Sequence, residues 1–204
     1  MSKASKPSRA DQSYDLILAS SSQARREILE ALGLRFRVEA PIFDETTLAG
    51  VTAGDLAEML ALGKARSVSS RFPDKLVLGA DQVLVFDGRL LRKPSDAAQA
   101  EAQLTALNGK QHMLITGMAL VCERTHALRI SNEATRLTMR HLDPAEIKAY
   151  LATGEWKGCV GSYRVEGRGL KLFERIEGDL TNARGLPAIR LCSALRSLGV
   201  ELFR

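Results

Sequence analysis

The chain has few of the residues that build disulfide frameworks, membrane spans or base-stacking surfaces. Its three cysteines, Cys122, Cys159 and Cys192, form no CxxC or histidine-rich spacing, so neither a disulfide framework nor a zinc knuckle is expected. Aromatic residues make up 5% of the sequence, too few for a surface that stacks nucleic-acid bases. No apolar run reaches the roughly 18 residues that cross a bilayer. We therefore expect no membrane partner and no stable nucleic-acid partner.

Composition and length describe a globular chain. Its 204 residues are 45% apolar and 26% charged, enough for one large domain with its own core. Residues 1–13 are rich in Ser, Lys and Ala, and no apolar signal segment follows them. We expect a disordered cytoplasmic leader over 1–13 and a single domain over 14–204. The net charge of +5 favours a polyanionic partner.

Helical and strand patterns alternate along the chain, which predicts an α/β fold with a mixed sheet. Leu16–Ala19 reads as a buried strand, and Gln23–Leu32 as a helix. Residues 75–86 read as two strand segments or one kinked strand, and Asp87-Gly88 predicts a type I′ hairpin. A helix capped by Ser95 is expected up to Leu107, and a capping box opens another at Asp143.

The densest polar feature runs from Ser20 to Arg26, in the sequence Ser-Ser-Ser-Gln-Ala-Arg-Arg, where the first strand meets the first helix. Backbone N–H groups, hydroxyls and guanidinium groups at a helix N-terminus suit a phosphate. Helix capping beside solvated arginines explains the same pattern equally well. The glycine spacing and the Lys-Ser/Thr ending of a Walker A loop are missing.

Two acids and two lysines are further candidates. Asp81 interrupts an apolar strand, where a charge is costly unless it is paired or binds a cation. Glu45 follows Asp44 in an acidic loop, although loop acids are usually only solvated. Carboxylates that converge on phosphates are what magnesium requires. Lys64 and Lys93 could neutralise phosphate charge, although most single lysines are only solvated.

A covalent nucleophile is not expected. His112, His126 and His141 have no cysteine or serine partner at a recognised spacing. Trp156 and Tyr163 lie in a glycine-rich stretch, where they could flank a base or pack in the core.

The motifs, taken in order, resemble one family. Leu18-Ala19-Ser20-Ser21-Ser22 through Arg25, then Asp44-Glu45, Lys64-Ala65, Gly79-Ala80-Asp81, Lys93-Pro94, Gly161-Ser162-Tyr163 and Gly185-Leu186-Pro187, resemble the Maf nucleoside triphosphate pyrophosphatases. The resemblance extends from about Leu16 to Leu198. It implies an elongated α/β fold with two lobes around a nucleotide cleft, similar to the house-cleaning inosine triphosphate pyrophosphatases.

The same resemblance implies an activity and site residues. The family cleaves the bond between the α- and β-phosphates of a nucleoside triphosphate with a divalent cation, Mg²⁺ or else Mn²⁺ or Co²⁺. By matching position, the residues expected to hold the triphosphate are Ser20, Ser22, Arg25, Lys64 and Lys93. Glu45 and Asp81 are expected to bind the metal or activate water, and Lys93 is expected to assist catalysis.

Substrate choice depends on fewer positions. Gln82 and Glu166 resemble the branch that acts on 7-methyl-GTP, and a carboxylate suits a guanine edge better than thymine. Ala24 departs from that branch, for which the resemblance implies an aromatic residue there, and Arg184 stands where the resemblance to the family implies an apolar residue. An enzyme acting on dTTP and UTP is the first alternative.

A second alternative belongs to another class. The resemblance also covers proteins linked to septum formation, so a non-catalytic nucleotide-binding regulator of cell division fits the basic composition. The acids and lysines named above argue against it. A homodimer is expected from the resemblance alone.

Overall fold

The computed structural model describes residues 16–44 and 50–203. The predicted leader over 1–13 and the candidate Glu45 lie outside the described residues. Within them, no helix is long and apolar enough to cross a membrane.

Seven strands and six helices alternate in the described residues. The strands are β1 (Leu16–Ala19), β2 (Phe36–Val38), β3 (Leu76–Phe86), β4 (Arg89–Leu91), β5 (Gln111–Cys122), β6 (Ala127–Met139) and β7 (Phe173–Glu177). The helices are α1 (Gln23–Ala31), α2 (Ala53–Ser69), α3 (Ala97–Leu107), α4 (Pro144–Leu151), α5 (Leu180–Ala183) and α6 (Ala188–Ser197). Two short 3-10 helices, Val160–Ser162 and Arg168–Leu172, follow α4.

All seven strands form one mixed sheet, which confirms the predicted α/β class. The order is β2-β1-β3-β5-β6-β7, with β4 paired to β3. β1 is parallel to β2 and β3, whereas the long β3, β5 and β6 are antiparallel neighbours. β3 is one strand rather than two, because β5 pairs with it continuously from Val77 to Val85.

The turn and cap predictions have mixed outcomes. The hairpin is confirmed, with Asp87 at φ 48° and Gly88 at φ 70° between β3 and β4. The capping box at Asp143 is also confirmed. The predicted cap at Ser95 is wrong. Asp96 caps α3, because its carboxylate accepts from the backbone N–H of Gln99 at 2.8 Å, while the Ser95 hydroxyl donates to that same side chain.

Two core clusters divide the sheet into two lobes. One contains Leu78 and Met118 from the long strands together with residues of β1, α1 and α6. The other contains Leu84 and Leu114, farther along the same strands, with residues of α3, α4 and the 3-10 segments. Because β3 and β5 contribute residues to both clusters, the two lobes share these strands, in agreement with the predicted two-lobed fold.

Helix α2 packs very close to the sheet because two strand residues are glycines. A Cβ on Gly79 would lie 2.2 Å from the Ala61 carbonyl oxygen, and one on Gly117 would lie 2.1 Å from that of Ala57. Such distances are far inside van der Waals contact. Glycine at both positions therefore determines how close α2, and the Lys64 side chain it carries, comes to β3.

Candidate active site

The cleft between the lobes opens at a gap along one edge of β3. β1 pairs with β3 only as far as Gly79, and β4 begins to pair at Leu84. Residues 80–83 therefore have no strand partner on that side within the described residues. Asp81 and Gln82 occupy this gap. Residues 20–22, here called the serine turn, follow Ala19 and lie beside it.

The serine turn is held by its own hydroxyls. Ser20 is 5% exposed, and its Oγ accepts from the Ser22 backbone N–H at 3.2 Å and from Nη1 of Arg25 at 3.0 Å. Ser22 caps α1 through the backbone N–H of Arg25. The helix-capping interpretation is confirmed for Ser22, and the turn also lines the cleft.

The Arg25 side chain is held by a hydrogen bond to a residue distant in the sequence. Its Nε donates to the Gly185 carbonyl at 2.8 Å, which connects α1 to the loop between α5 and α6. Together with the backbone N–H groups at the start of α1, the guanidinium forms a positive corner of the cleft.

Asp81 faces Lys64 across the cleft floor. The Lys64 ammonium donates a hydrogen bond to Oδ1 of Asp81, and both side chains are 15% exposed. The pairing explains how a carboxylate is tolerated in an apolar strand. It also places an acid and a cation side by side within reach of a ligand.

The glycine-rich segment after α4 forms the opposite wall. Lys93, on the exposed loop after β4, and Glu166 both line the cleft, whose volume is about 970 Å³. Among the described residues that line it, seven are Lys or Arg and three are Asp or Glu, so the cleft favours anions. A volume of this size suits a small-molecule ligand.

Gln82 is oriented by a buried polar network. Its Nε2 donates to the Thr116 hydroxyl at 3.0 Å and to the Asn182 carbonyl at 2.8 Å. Asn182 and Thr116 are fully buried. Since the amide nitrogen is engaged by the protein, the side-chain oxygen of Gln82 is the atom left for a ligand.

Glu166 is held by a neighbouring cation. Nε of Arg164 donates to the Glu166 carboxylate at 3.1 Å, and the side chain of Glu166 is 18% exposed. Glu155, on the same wall, accepts from the backbone N–H of Gly169 at 3.3 Å and braces the loop. Glu166 therefore presents a fixed acceptor to the cleft.

The nearby thiol does not suit a nucleophile. Cys159 lines the cleft, and burial raises the pKa of its thiol, helped by the negative charge of Glu166. The neutral thiol is the less reactive form. Tyr163 is buried against Phe173 with its hydroxyl 2.7 Å from Nε2 of His112, and Trp156 donates its N–H to the Leu151 carbonyl, so both rings are core residues.

The cleft offers oxygen ligands for a hard cation only in part. No cluster of three or more His, Cys, Asp or Glu side chains forms within residues 16–44 and 50–203. Asp81 is the carboxylate beside the positive corner, and Mg²⁺ commonly needs only one or two carboxylates when substrate phosphates complete its shell. The residues present are thus compatible with a cation that shares its ligands with a phosphate chain.

Nearly all of the candidate site residues identified in the sequence line one cleft. Those that line it are Ser20, Ser22, Arg25, Lys64, Asp81, Gln82, Lys93 and Glu166. Glu45 is the exception, since it lies outside the described residues. Sequence reasoning missed Glu155, Arg164 and the Thr116–Asn182 network. A buried threonine in an apolar strand was the available signal for the network.

The chain matches a family model, named relatives and a solved structure. A family model described as "Maf-like protein" matches residues 15–198. A dTTP/UTP pyrophosphatase of Pelotomaculum thermopropionicum is 40% identical over 188 residues, covering 92% of this chain and 98% of that protein. A 7-methyl-GTP pyrophosphatase of Pseudomonas aeruginosa is 40% identical over 189 residues, with the same coverage. Among solved structures, the Staphylococcus aureus Ham1 protein covers 61% of this chain and 71% of its own, with 15% identity and a TM-score of 0.46.

Proposed function

Since this chain belongs to the Maf family, we propose that it is a nucleoside triphosphate pyrophosphatase, which hydrolyses the bond between the α- and β-phosphates to release a monophosphate and pyrophosphate. The observation that carries the proposal is the Lys64–Asp81 pair, which lies in the gap of β3 beside the serine turn. Relatives named as pyrophosphatases match over nearly their whole length and support it.

The positive corner binds the phosphate chain in this proposal. Backbone N–H groups at the start of α1 and the Arg25 guanidinium donate hydrogen bonds to phosphate oxygens. The Ser20 and Ser22 hydroxyls hold the turn in the shape that points these donors into the cleft. Lys64 and the exposed Lys93 add charge from the floor and the opposite wall, and this charge offsets the negative charge that the leaving pyrophosphate gains.

Asp81 is the proposed catalytic carboxylate. It orients a water molecule for attack on the phosphate and accepts its proton, and Lys64 fixes the carboxylate in one position. Asp81 and Glu45 would hold a divalent cation, Mg²⁺ or else Mn²⁺ or Co²⁺. When bound, such a cation supplies positive charge to the phosphate oxygens. No covalent intermediate is required.

We infer 7-methyl-GTP, or another modified guanine nucleotide, as the substrate. Gln82 presents its side-chain oxygen and Glu166 its carboxylate, and both residues line the cleft. Guanine offers an N–H and an amino group as donors on one edge, whereas thymine and uracil offer one N–H between two carbonyls. A cationic methylated base gains further from the Glu166 charge. Relatives with either substrate name are 40% identical to this chain, so overall identity does not indicate the substrate. The inference therefore depends on Gln82 and Glu166.

A substrate panel tests the proposal. Purified protein is incubated with Mg²⁺ and with 7-methyl-GTP, GTP, dTTP or UTP, and the specificity constants are compared. Preference for 7-methyl-GTP supports the role of Gln82 and Glu166. Preference for dTTP or UTP supports the alternative pyrophosphatase. Tight nucleotide binding without turnover of any of the four would favour the non-catalytic regulator of cell division.

A further inference from the structure

Arg184 is a cleft residue to which neither the family motifs nor the chemistry above assigns a role. Arg184 ends α5, lines the cleft and is 26% exposed. Its Nη2 donates to Oε2 of Glu27 on α1 at 3.2 Å. Its Nε is buried and donates to no acceptor among the described residues. A buried N–H without an acceptor is unfavourable, so the pairing with Glu27 does not fully satisfy the Arg184 guanidinium.

The backbone places Arg184 beside the positive corner. The next residue, Gly185, accepts the Arg25 Nε hydrogen bond through its carbonyl at 2.8 Å. Glu27, which holds Arg184, lies half a turn beyond Arg25 on the same helix and also accepts from Gln23 at 3.2 Å. Two guanidinium groups therefore lie at the first turns of α1. Arg25 belongs to the helix itself, and Arg184 reaches it from the loop after α5 through Glu27.

We infer that Arg184 is an additional phosphate-binding residue of this cleft, with Glu27 as the partner that holds its side chain until a phosphate replaces or joins it. A planar guanidinium with several donors suits phosphate oxygens. The base-facing acceptors are Gln82 and Glu166, and a cationic methylated base would be repelled by Arg184, so the phosphate chain is the part of the substrate that it fits. The inference extends the proposed function and rests on it for the identity of the substrate.

A direct test uses inorganic triphosphate, which carries phosphates and no base. Calorimetric titration of the full chain gives its dissociation constant for the wild type and for Arg184→Met, Arg184→Lys and Glu27→Gln. We expect Arg184→Met to weaken binding about tenfold, the equivalent of about 1.4 kcal/mol. Arg184→Lys keeps the positive charge but loses the planar guanidinium, so we expect a smaller loss of affinity than in Arg184→Met. Glu27→Gln releases Arg184 from a competing carboxylate, and binding becomes as tight as in the wild type or tighter.

Arg26→Met is the matched control. Arg26 lies on the same helix and also has a buried Nε without a partner among the described residues, but it lines a shallow depression on another face rather than the cleft. We expect its affinity for inorganic triphosphate to equal that of the wild type. Thermal unfolding of every variant shows whether the fold is kept.

The direction of the change in affinity distinguishes a binding role of Arg184 from a structural role of its ion pair with Glu27. Arg184→Met and Glu27→Gln break the same ion pair, so equal weakening by both would mean that the pair only supports the fold, and would overturn the inference. Unchanged affinity in Arg184→Met would overturn it as well, as would weaker nucleotide binding with unchanged binding of inorganic triphosphate. Pyrophosphate release is measured separately. If the wild type releases no pyrophosphate, the proposed function is contradicted. The role of Arg184 is decided separately, by the affinity for inorganic triphosphate.

Discussion

The Lys64 ammonium donates a hydrogen bond to the Asp81 carboxylate, so an acid and a cation from two different elements are paired at the floor of the cleft. Helix α2 carries one and strand β3 the other, and Gly79 lets the helix approach the strand closely enough for them to meet. The position of the proposed catalytic acid thus depends on packing as well as on chemistry.

Asp81→Asn removes the charge but keeps the shape of the side chain. We expect pyrophosphate release to fall by at least about a hundredfold, because the amide neither accepts the proton of water nor holds a cation well. The far-ultraviolet circular dichroism spectrum should match that of the wild type. Activity within a factor of about three of the wild type would remove Asp81 from the mechanism.

Gly79→Ala tests the packing of α2. The added Cβ would overlap the Ala61 carbonyl oxygen, so the free energy of unfolding in urea should fall by at least about 2 kcal/mol. Pyrophosphate release should fall too, since Lys64 would move away from Asp81. Gly54→Ala on the same helix is the control, because its Cβ meets only the Asn132 side chain at 3.3 Å or more and alanine favours a helix. Equal stability of the two variants would contradict this description of the α2 packing.

Lys93→Ala separates binding from stability. The side chain is exposed, so thermal unfolding should stay as in the wild type, whereas the KM for the nucleotide should rise about tenfold through the loss of a phosphate contact. Lys171→Ala, an exposed lysine outside the cleft, serves as the comparison. If both variants keep wild-type kinetics, Lys93 has no part in the site.

Glu166→Gln tests base selection. Replacing the carboxylate with a neutral amide should lower the specificity constant for 7-methyl-GTP by about tenfold and change that for dTTP by less than about threefold. Competition between the two nucleotides in one tube measures the ratio directly. An equal loss for both would show that Glu166 acts on a part common to all the substrates.

His112 gives the fold a pH dependence. Burial lowers the pKa of His112 from 6.5 to about 4. The unfolded chain therefore binds the proton first, so this contribution to stability is complete above pH 6.5 and is lost as the pH falls towards 4. The loss amounts to about 3 kcal/mol. Urea unfolding of the wild type and of His112→Gln across that range should show a steeper decline for the wild type; parallel curves would contradict the assignment.

Local features of the site could be predicted from the sequence, and contacts between distant residues could not. Ser20 and Arg25 interact within one turn, so their spacing in the sequence was enough to predict that they lie together at the start of α1. The bond from Gln82 to Asn182 spans 100 residues, and that from Arg184 to Glu27 spans 157. Such contacts depend on how α5 packs against the sheet and α1, which no local pattern encodes. The cap at Asp96 was missed because Ser95 and Asp96 are both good caps and only the backbone geometry chooses between them.

Product analysis in water labelled with oxygen-18 shows which bond of the triphosphate is cleaved and whether Asp81 is required. The protein is incubated with Mg²⁺ and 7-methyl-GTP, and the products are identified by mass spectrometry with Asp81→Asn in parallel. The proposed reaction gives monophosphate and pyrophosphate in equal amounts from the wild type only, with the label in one of these two products. Release of a diphosphate and inorganic phosphate, or equal product formation by the variant, would contradict it.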